Sequence, residues 1–219
     1  MIEIKNLKIA LYNHGGFNDL NLIFKTGKSY TITGESGSGK TLLFSLLSGI
    51  LDPDEGDIII DGQSILYSKV EVIREARKKL GIIFQVPGII SNLTVFENLK
   101  LVADFYFPHK TPKEKEHMIE IELAHFNLLP VVNLRPDFIT RNQLFLVSAI
   151  RAFISQCKIL LWDAPYVSLD ERYHKYVEAR MAELKKDGCT MIYFTNNFEL
   201  ARRHSDHIYQ IEQGRIVIV

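Results

Sequence analysis

Gly34-Glu35-Ser36-Gly37-Ser38-Gly39-Lys40-Thr41 fits the pattern G-x-x-x-x-G-K-[ST], and its flanks decide the fold. Ser29-Tyr30-Thr31-Ile32-Thr33 before it is β-branched and reads as a strand. Leu42-Leu43-Phe44-Ser45-Leu46-Leu47-Ser48-Gly49 after it reads as a helix that stops near its glycine. Strand, glycine-rich turn and helix in that order aim several backbone N–H groups and a helix N-terminus at one point, which suits a phosphate. In such a loop Lys40 reaches the terminal phosphates and the Thr41 hydroxyl binds Mg²⁺. With Gly at about 7% of average composition, chance supplies the pattern on the order of once per hundred chains of this length.

The 219 residues suffice for one α/β domain with a subdomain. The 26 basic and 26 acidic side chains cancel, so nothing global draws the chain to nucleic acid or anionic lipid, and no nucleic-acid partner is expected. Cys157 and Cys189 are too few for a disulfide framework and sit in no metal-type spacing. They are expected to be buried thiols in a reducing compartment. Met1-Ile2-Glu3-Ile4-Lys5 alternates like a strand rather than opening a signal segment. The longest apolar stretch, Leu42 to Leu51, is far short of the roughly 20 residues that span a bilayer. These features predict a soluble, cytoplasmic chain whose membrane role, if any, passes through a partner.

Along the chain, alternation up to about Asn21, with turn residues at Asn13-His14-Gly15-Gly16, predicts an antiparallel hairpin layer ahead of the phosphate loop. Asp52-Pro53-Asp54-Glu55-Gly56 reads as a turn, followed by the strand Asp57 to Ile60. Helices are expected over Tyr67–Lys79, Leu93–Phe107, Lys113–Phe126, Gln143–Ser155, Glu171–Lys186 and Phe198–His204. The basic run Arg74, Arg77, Lys78 and Lys79 reads as a solvated helix face, and His109, His117 and His125 as surface histidines. Buried strands are expected at Leu80–Gln85, Lys158–Asp163 and Thr190–Thr195, and a closing hairpin turns at Gln213-Gly214. Strands alternating with helices imply a mainly parallel sheet that binds ligands at strand C-terminal ends. Gln85, Asp163 and Asn196 each stand at such an end, as the phosphate loop does.

In this order the landmarks resemble the nucleotide-binding subunit of ABC transporters over essentially the whole chain. Gly34 to Thr41 matches Walker A, Ile82-Ile83-Phe84-Gln85 the Q-loop, Ile159 to Asp163 Walker B, and Ser168-Leu169-Asp170 the D-loop. Ser91 to Asn98 is similar to the start of that family's helical subdomain, and Leu200 to Val217 to its closing segment. The wording around the Q-loop is closest to small subunits of the lipoprotein-release, macrolide-exporter and cell-division type. The resemblance implies one domain over residues 1–219, with core 1–85 and 158–219 and an inserted helical subdomain at about 86–157. The fold expected is α/β, a P-loop NTPase core with a mainly parallel sheet and an N-terminal antiparallel β layer. It implies ATP and Mg²⁺ as cofactors, with Thr41, Gln85 and Asp163 as metal ligands and Tyr12 stacking on the adenine.

The departures from that family carry the functional reading. Its glutamate general base is Ala164 here, and a methyl group accepts no proton. Its switch histidine is Asn196, which can hydrogen-bond a phosphate but carries no charge. Its LSGGQ signature aligns with Ile139-Thr140-Arg141-Asn142-Gln143, where both glycines are gone, and the arginine usual three residues on is Leu146. Groups that hold Mg-nucleotide therefore remain, while those that drive hydrolysis or sense a dimer partner are altered. The resemblance implies a head-to-tail dimer, either a homodimer or a heterodimer with another ABC ATPase subunit. It also implies a transmembrane permease subunit docking along Gln85 to Asn98, where Pro87-Gly88-Ile89-Ile90 offers an apolar surface, and hence a peripheral place at the membrane. The expected activity is Mg-ATP binding with weak or absent turnover in a regulatory or structural partner. The alternative is an active transport ATPase whose base comes from Glu171, Glu199 or a partner subunit. Arg141 reads first as a surface arginine and second as a finger acting across the dimer.

Overall fold

The computed structural model describes residues 1–10, 16–167 and 169–219. Strands β1 (Ile2–Ile9), β2 (Phe17–Phe24), β4 (Glu55–Ile60) and β5 (Gln63–Ser64) form an antiparallel sheet in the order β2-β1-β4-β5. A second sheet has the order β10-β9-β3-β8-β7-β6. Its strands are β3 (Ser29–Thr33), β6 (Leu80–Ile83), β7 (Ile159–Asp163), β8 (Thr190–Phe194), β9 (His207–Glu212) and β10 (Arg215–Ile218). All its neighbours run parallel except the last hairpin, β9 with β10. The fold is thus the expected α/β sheet with an antiparallel layer beside it.

The seven α-helices of the described residues are α1 (Lys40–Leu47), α2 (Val70–Arg77), α3 (Val95–Tyr106), α4 (Pro112–His125), α5 (Arg141–Ile154), α6 (Glu171–Lys186) and α7 (Phe198–His204). Strand alternation sends side chains to two separate cores. Ile159, Leu161, Ile192 and Phe194 face α1 and the antiparallel layer. Leu160, Trp162, Met191 and Tyr193 face α3, α4, α5 and α6. Cys157 and Cys189 are buried free thiols in that second core.

Several element ends fall one to three residues from the sequence reading, and two of them have a clear local reason. Glu55-Gly56 belongs to β4 rather than to a turn. The strand accommodates it through an irregularity in the β1–β4 register between Lys5 and Lys8, where Asn6 has φ 48°. A Cβ on Gly56 would lie 2.5 Å from the Asn6 carbonyl oxygen, so only glycine fits. Helix α2 begins at Val70 rather than Tyr67. The Ser64 hydroxyl accepts the N–H groups of Leu66 (3.2 Å) and Tyr67 (2.9 Å), holding a turn ahead of the helix. The basic run on α2 is solvated as expected, with Lys78 paired to Glu75 and Lys79 to Asp61.

Helices α3, α4 and α5 each open with a complete capping box, at Thr94 with Glu97, Thr111 with Glu114, and Thr140 with Gln143. Asn98 on α3 is fully buried. Its carboxamide holds the preceding loop by accepting from Ile90 N–H (2.9 Å) and donating to Ile90 O (3.0 Å) and Thr94 O (2.9 Å). His109 and His117 are exposed as expected. His125 is half-buried against Phe126, with Nε2 3.3 Å from the Tyr176 carbonyl.

Candidate functional site

The register of the parallel strands builds one edge. Ile32 and Asp163 each pair with Phe194, and Ile83 pairs with Trp162, one step before Asp163. Gly34, Thr195, Ala164 and Gln85 therefore leave the sheet side by side.

The phosphate loop has the backbone its sequence demands. Gly34, Gly37 and Gly39 have φ of 147°, 80° and 110°. A Cβ at Gly34 would meet Ser38 Oγ at 2.6 Å and the Ile211 carbonyl at 2.9 Å. Gly39 caps α1 without a side-chain bond, and no acidic residue stands in the first turn. The N-terminal N–H groups of α1 and the positive end of its dipole are thus open to an anion. Lys40 Nζ donates to the carbonyls of Gly34 (2.7 Å) and Glu35 (2.8 Å), folding over the loop it would leave for a phosphate. Ser38 Oγ is buried with no partner. An unpartnered hydroxyl, an open helix end and a lysine bonded only to carbonyls together make a cradle that a phosphate fits.

Asp163 is buried at the end of β7 and is in no ion pair among the described residues. Burial raises its pKa, against the opposing pull of the Ala164 N–H and the Lys40 charge. Burial likewise lowers the Lys40 pKa, which Asp163 counters. The two side chains share one electrostatic environment. A buried carboxylate outside any ion pair, and the exposed hydroxyl of Thr41 next to Lys40 in the chain, are oxygen donors of the kind a hard dication such as Mg²⁺ favours.

Past Asp163 the chain is strained. Ala164 and Tyr166 have φ of 48° and 65°, in the left-handed region. The Ala164 N–H donates to Phe194 O at 2.9 Å, tying the turn to β8. The Tyr166 ring lies against Trp162 and His174, at centroid distances of 4.9 and 4.8 Å. Asn196 is exposed, and Asn197 beside it caps α7 through Leu200 N–H at 3.1 Å. Glu171, Glu199 and Asn196 line one cavity of about 540 Å³ with Pro165 and His174. No residue of the phosphate loop lines that cavity.

The signature-like residues meet the D-loop instead. Thr140 Oγ1 accepts from Gln143 N–H (3.3 Å), and Gln143 Oε1 accepts from Thr140 N–H (2.8 Å). Asn142 Oδ1 accepts the Asp170 N–H at 2.7 Å, an internal tie that the sequence reading missed. A cavity of about 360 Å³ brings Gln85, Arg141, Asn142, Leu169 and Asp170 together. Arg141 is exposed there. Tyr12, Ser168 and the predicted turn at Asn13 to Gly15 lie outside the described residues. A cavity of about 910 Å³ between β1, β2 and the closing hairpin touches no residue of the phosphate loop, the Q-loop, Walker B, the signature-like stretch or the D-loop.

The Thr140–Gln143 cap was open to discovery as S/T-x-x-E/Q, because that pattern alone specifies two reciprocal bonds. Nothing local signalled the Asn142–Asp170 bond, which joins residues 28 apart.

A family model described as "ABC transporter" matches residues 17–167. The phosphonates import ATP-binding protein PhnC of Lactobacillus johnsonii is 31% identical, over 99% of this chain and 89% of its own length. The methionine import ATP-binding protein MetN 1 of Burkholderia orbicola is 28% identical, over 99% of this chain and 64% of its own. Among solved structures, the dimeric post-hydrolysis ATP-binding cassette MJ0796, bound to ADP and Pi, superimposes with a TM-score of 0.87 at 25% identity. That match covers 99% of this chain and 96% of the other.

Proposed function

The chain belongs to the ABC transporter family, and from that premise we propose an ATP-binding subunit that holds Mg-ATP but turns it over slowly or not at all. One observation carries this reading: a complete phosphate cradle stands beside an alanine, Ala164, at the position of the family's general base. The open end of α1, Ser38 Oγ and Lys40 would hold the phosphates. Thr41, Gln85 and Asp163 would hold Mg²⁺, which when bound neutralises charge between the phosphates. A positioned base contributes typically about 10²–10⁴-fold in rate, so its loss leaves the electrostatic part of catalysis and little more. Nucleotide binding without rapid hydrolysis still biases a two-state assembly, which suits a regulatory or structural partner.

The names of the phosphonate and methionine import proteins support an import system, and the dimeric cassettes support a pair of subunits as the working unit. The finer likeness to lipoprotein-release, macrolide-exporter and cell-division subunits gains no support from these relatives. No helix among the described residues is long and apolar enough to cross a membrane. Attachment to a membrane is therefore assigned to a transmembrane permease docking on the groove from Gln85 to Asn98. There Val86 and Ile90 are exposed while Ile89 packs inward.

Steady-state Mg-ATP turnover over a protein concentration series tests the reading, with calorimetry of ATP binding alongside. Turnover at the level of Lys40→Ala with ATP binding intact is the expected result. Turnover far above Lys40→Ala would overturn it.

A second reading, an active ATPase with a substitute base, has its own observation: Glu171 and Glu199 share a cavity with Asn196 and Pro165. It requires clear turnover that Glu171→Gln or Glu199→Gln abolishes.

A further inference from the structure

The two cysteines of the chain come together at the end of the sheet away from the phosphate cradle. Cys157 stands just ahead of β7 and Cys189 just ahead of β8. Ile159 pairs with Thr190, and the Thr190 N–H donates to Lys158 O at 2.9 Å. That register sets Cys189 beside Lys158 and one step from Cys157. One step out of register on adjacent strands is about 6 Å between Cα atoms, inside the span that a disulfide bridges. Both side chains enter the core shared with Leu160 and Met191. On β6, Gly81 leaves room for the sulfur, since a Cβ there would lie 2.5 Å from Cys157 Sγ.

A hydrogen bond between the thiols, with Cys189 as donor, lowers the Cys157 pKa and raises that of Cys189. Burial opposes the first shift and adds to the second. Cys157 is thus the sulfur that gives up its proton first, and the thiolate is the reactive form. A groove of about 390 Å³, lined by Gly81, Tyr106 and Ser155, leads to its surroundings from the exposed Leu101 and Phe105 of α3. A small oxidant can follow such a path.

We propose that Cys157 and Cys189 are a reversible oxidation site, at which a peroxide converts the thiol pair into a disulfide that closes segment 157–189 around Asp163 and the D-loop. The Cys157 thiolate attacks one peroxide oxygen. An S–O bond forms as the O–O bond breaks, and the leaving hydroxide takes the thiol proton to become water. The Cys189 thiol then attacks that sulfur. The S–S bond forms as the S–O bond breaks, and the departing hydroxyl leaves with the Cys189 proton as water. Two electrons pass from the sulfurs to the peroxide, so hydrogen peroxide is reduced to water in full. Where thiols are kept reduced the bond is transient, and it registers oxidant rather than holding the fold permanently.

The reduced full chain, freed of reductant and treated with hydrogen peroxide, tests this by thiol titration in denaturant and by peptide mapping without reduction. Free thiols should fall from two per chain to none, with a linked Cys157–Cys189 peptide, and dithiothreitol should reverse both. The oxidised chain should melt several degrees above the reduced one, because the closed segment constrains its unfolded state. Cys189→Ala should stop at a sulfenic acid on Cys157 that dimedone captures, and Cys157→Ala should capture none. Mapping of the unsubstituted chain decides the matter even where a variant fails to fold. Thiols that stay free, a sulfinic acid in place of the disulfide, or a disulfide joining two chains would each overturn the proposal.

Discussion

The phosphate cradle and the signature and switch regions pack with α1 and α5 on opposite faces of one sheet, and their polar groups are disposed in opposite ways. Around the cradle they are left free: Ser38 Oγ has no partner, α1 has no side-chain cap and Asp163 has no counter-ion. At Asn142, Gln143 and Asn197, beside the exposed Arg141 and Asn196, they are engaged. Gln143 closes the cap of α5, Asn142 holds the D-loop, and Asn197 caps α7. An unsatisfied buried polar group costs about 1–3 kcal/mol, a cost that a bound phosphate would offset at Ser38. The contrast separates a region kept ready for a ligand from one whose side chains serve the chain's own structure.

The comparison breaks most directly at Ala164. Restoring the base with Ala164→Glu is expected to raise Mg-ATP turnover by about 10²–10⁴-fold if the rest of the edge remains competent. No gain would place the defect in the engaged residues rather than in the missing carboxylate. Next in size is Lys40→Ala. Losing a charge-assisted contact of about 3 kcal/mol should weaken ATP binding on the order of a hundredfold by calorimetry.

On the engaged side the effects are structural and smaller. Asn142→Ala removes the acceptor for the Asp170 N–H and should cost about 1 kcal/mol of stability, with faster hydrogen exchange at that amide. Unchanged exchange would show that the tie does not hold the D-loop. Thr140→Ala should cost a similar amount, about 1 kcal/mol, read as a lower melting temperature with ATP binding unaffected.

The smallest effect sharpens the cradle side. Burial raises the Asp163 pKa above its unfolded value, so the folded chain binds the extra proton more readily. Stability without nucleotide should then fall as pH rises from the ordinary aspartate value through the raised one, and level off beyond it. Asp163→Asn should remove that fall, seen in denaturation midpoints, and should weaken Mg-dependent nucleotide binding.

What was legible in the sequence follows the range of the interactions concerned. Gly34 to Thr41 could be read because glycine conformations and a helix N-terminus are local properties, and β7 and β8 because both of their faces are buried. The start of β4 could not be read, since it depends on a bulge at Asn6 far behind it in the chain. The start of α2 depended on one serine hydroxyl reaching two amides. The buried, unpartnered Nε of Arg151 becomes visible only once α3, α5 and the β6 edge are brought together.

The central sheet divides its side chains between two cores that share no residue. Substitutions more than about 7–10 Å apart that share no partners act nearly independently. Descendants of a common ancestor could therefore accumulate changes in the helical arm and its signature without loosening the packing under the phosphate loop. Such a layout lets the two faces of the sheet change at separate rates while the fold is kept.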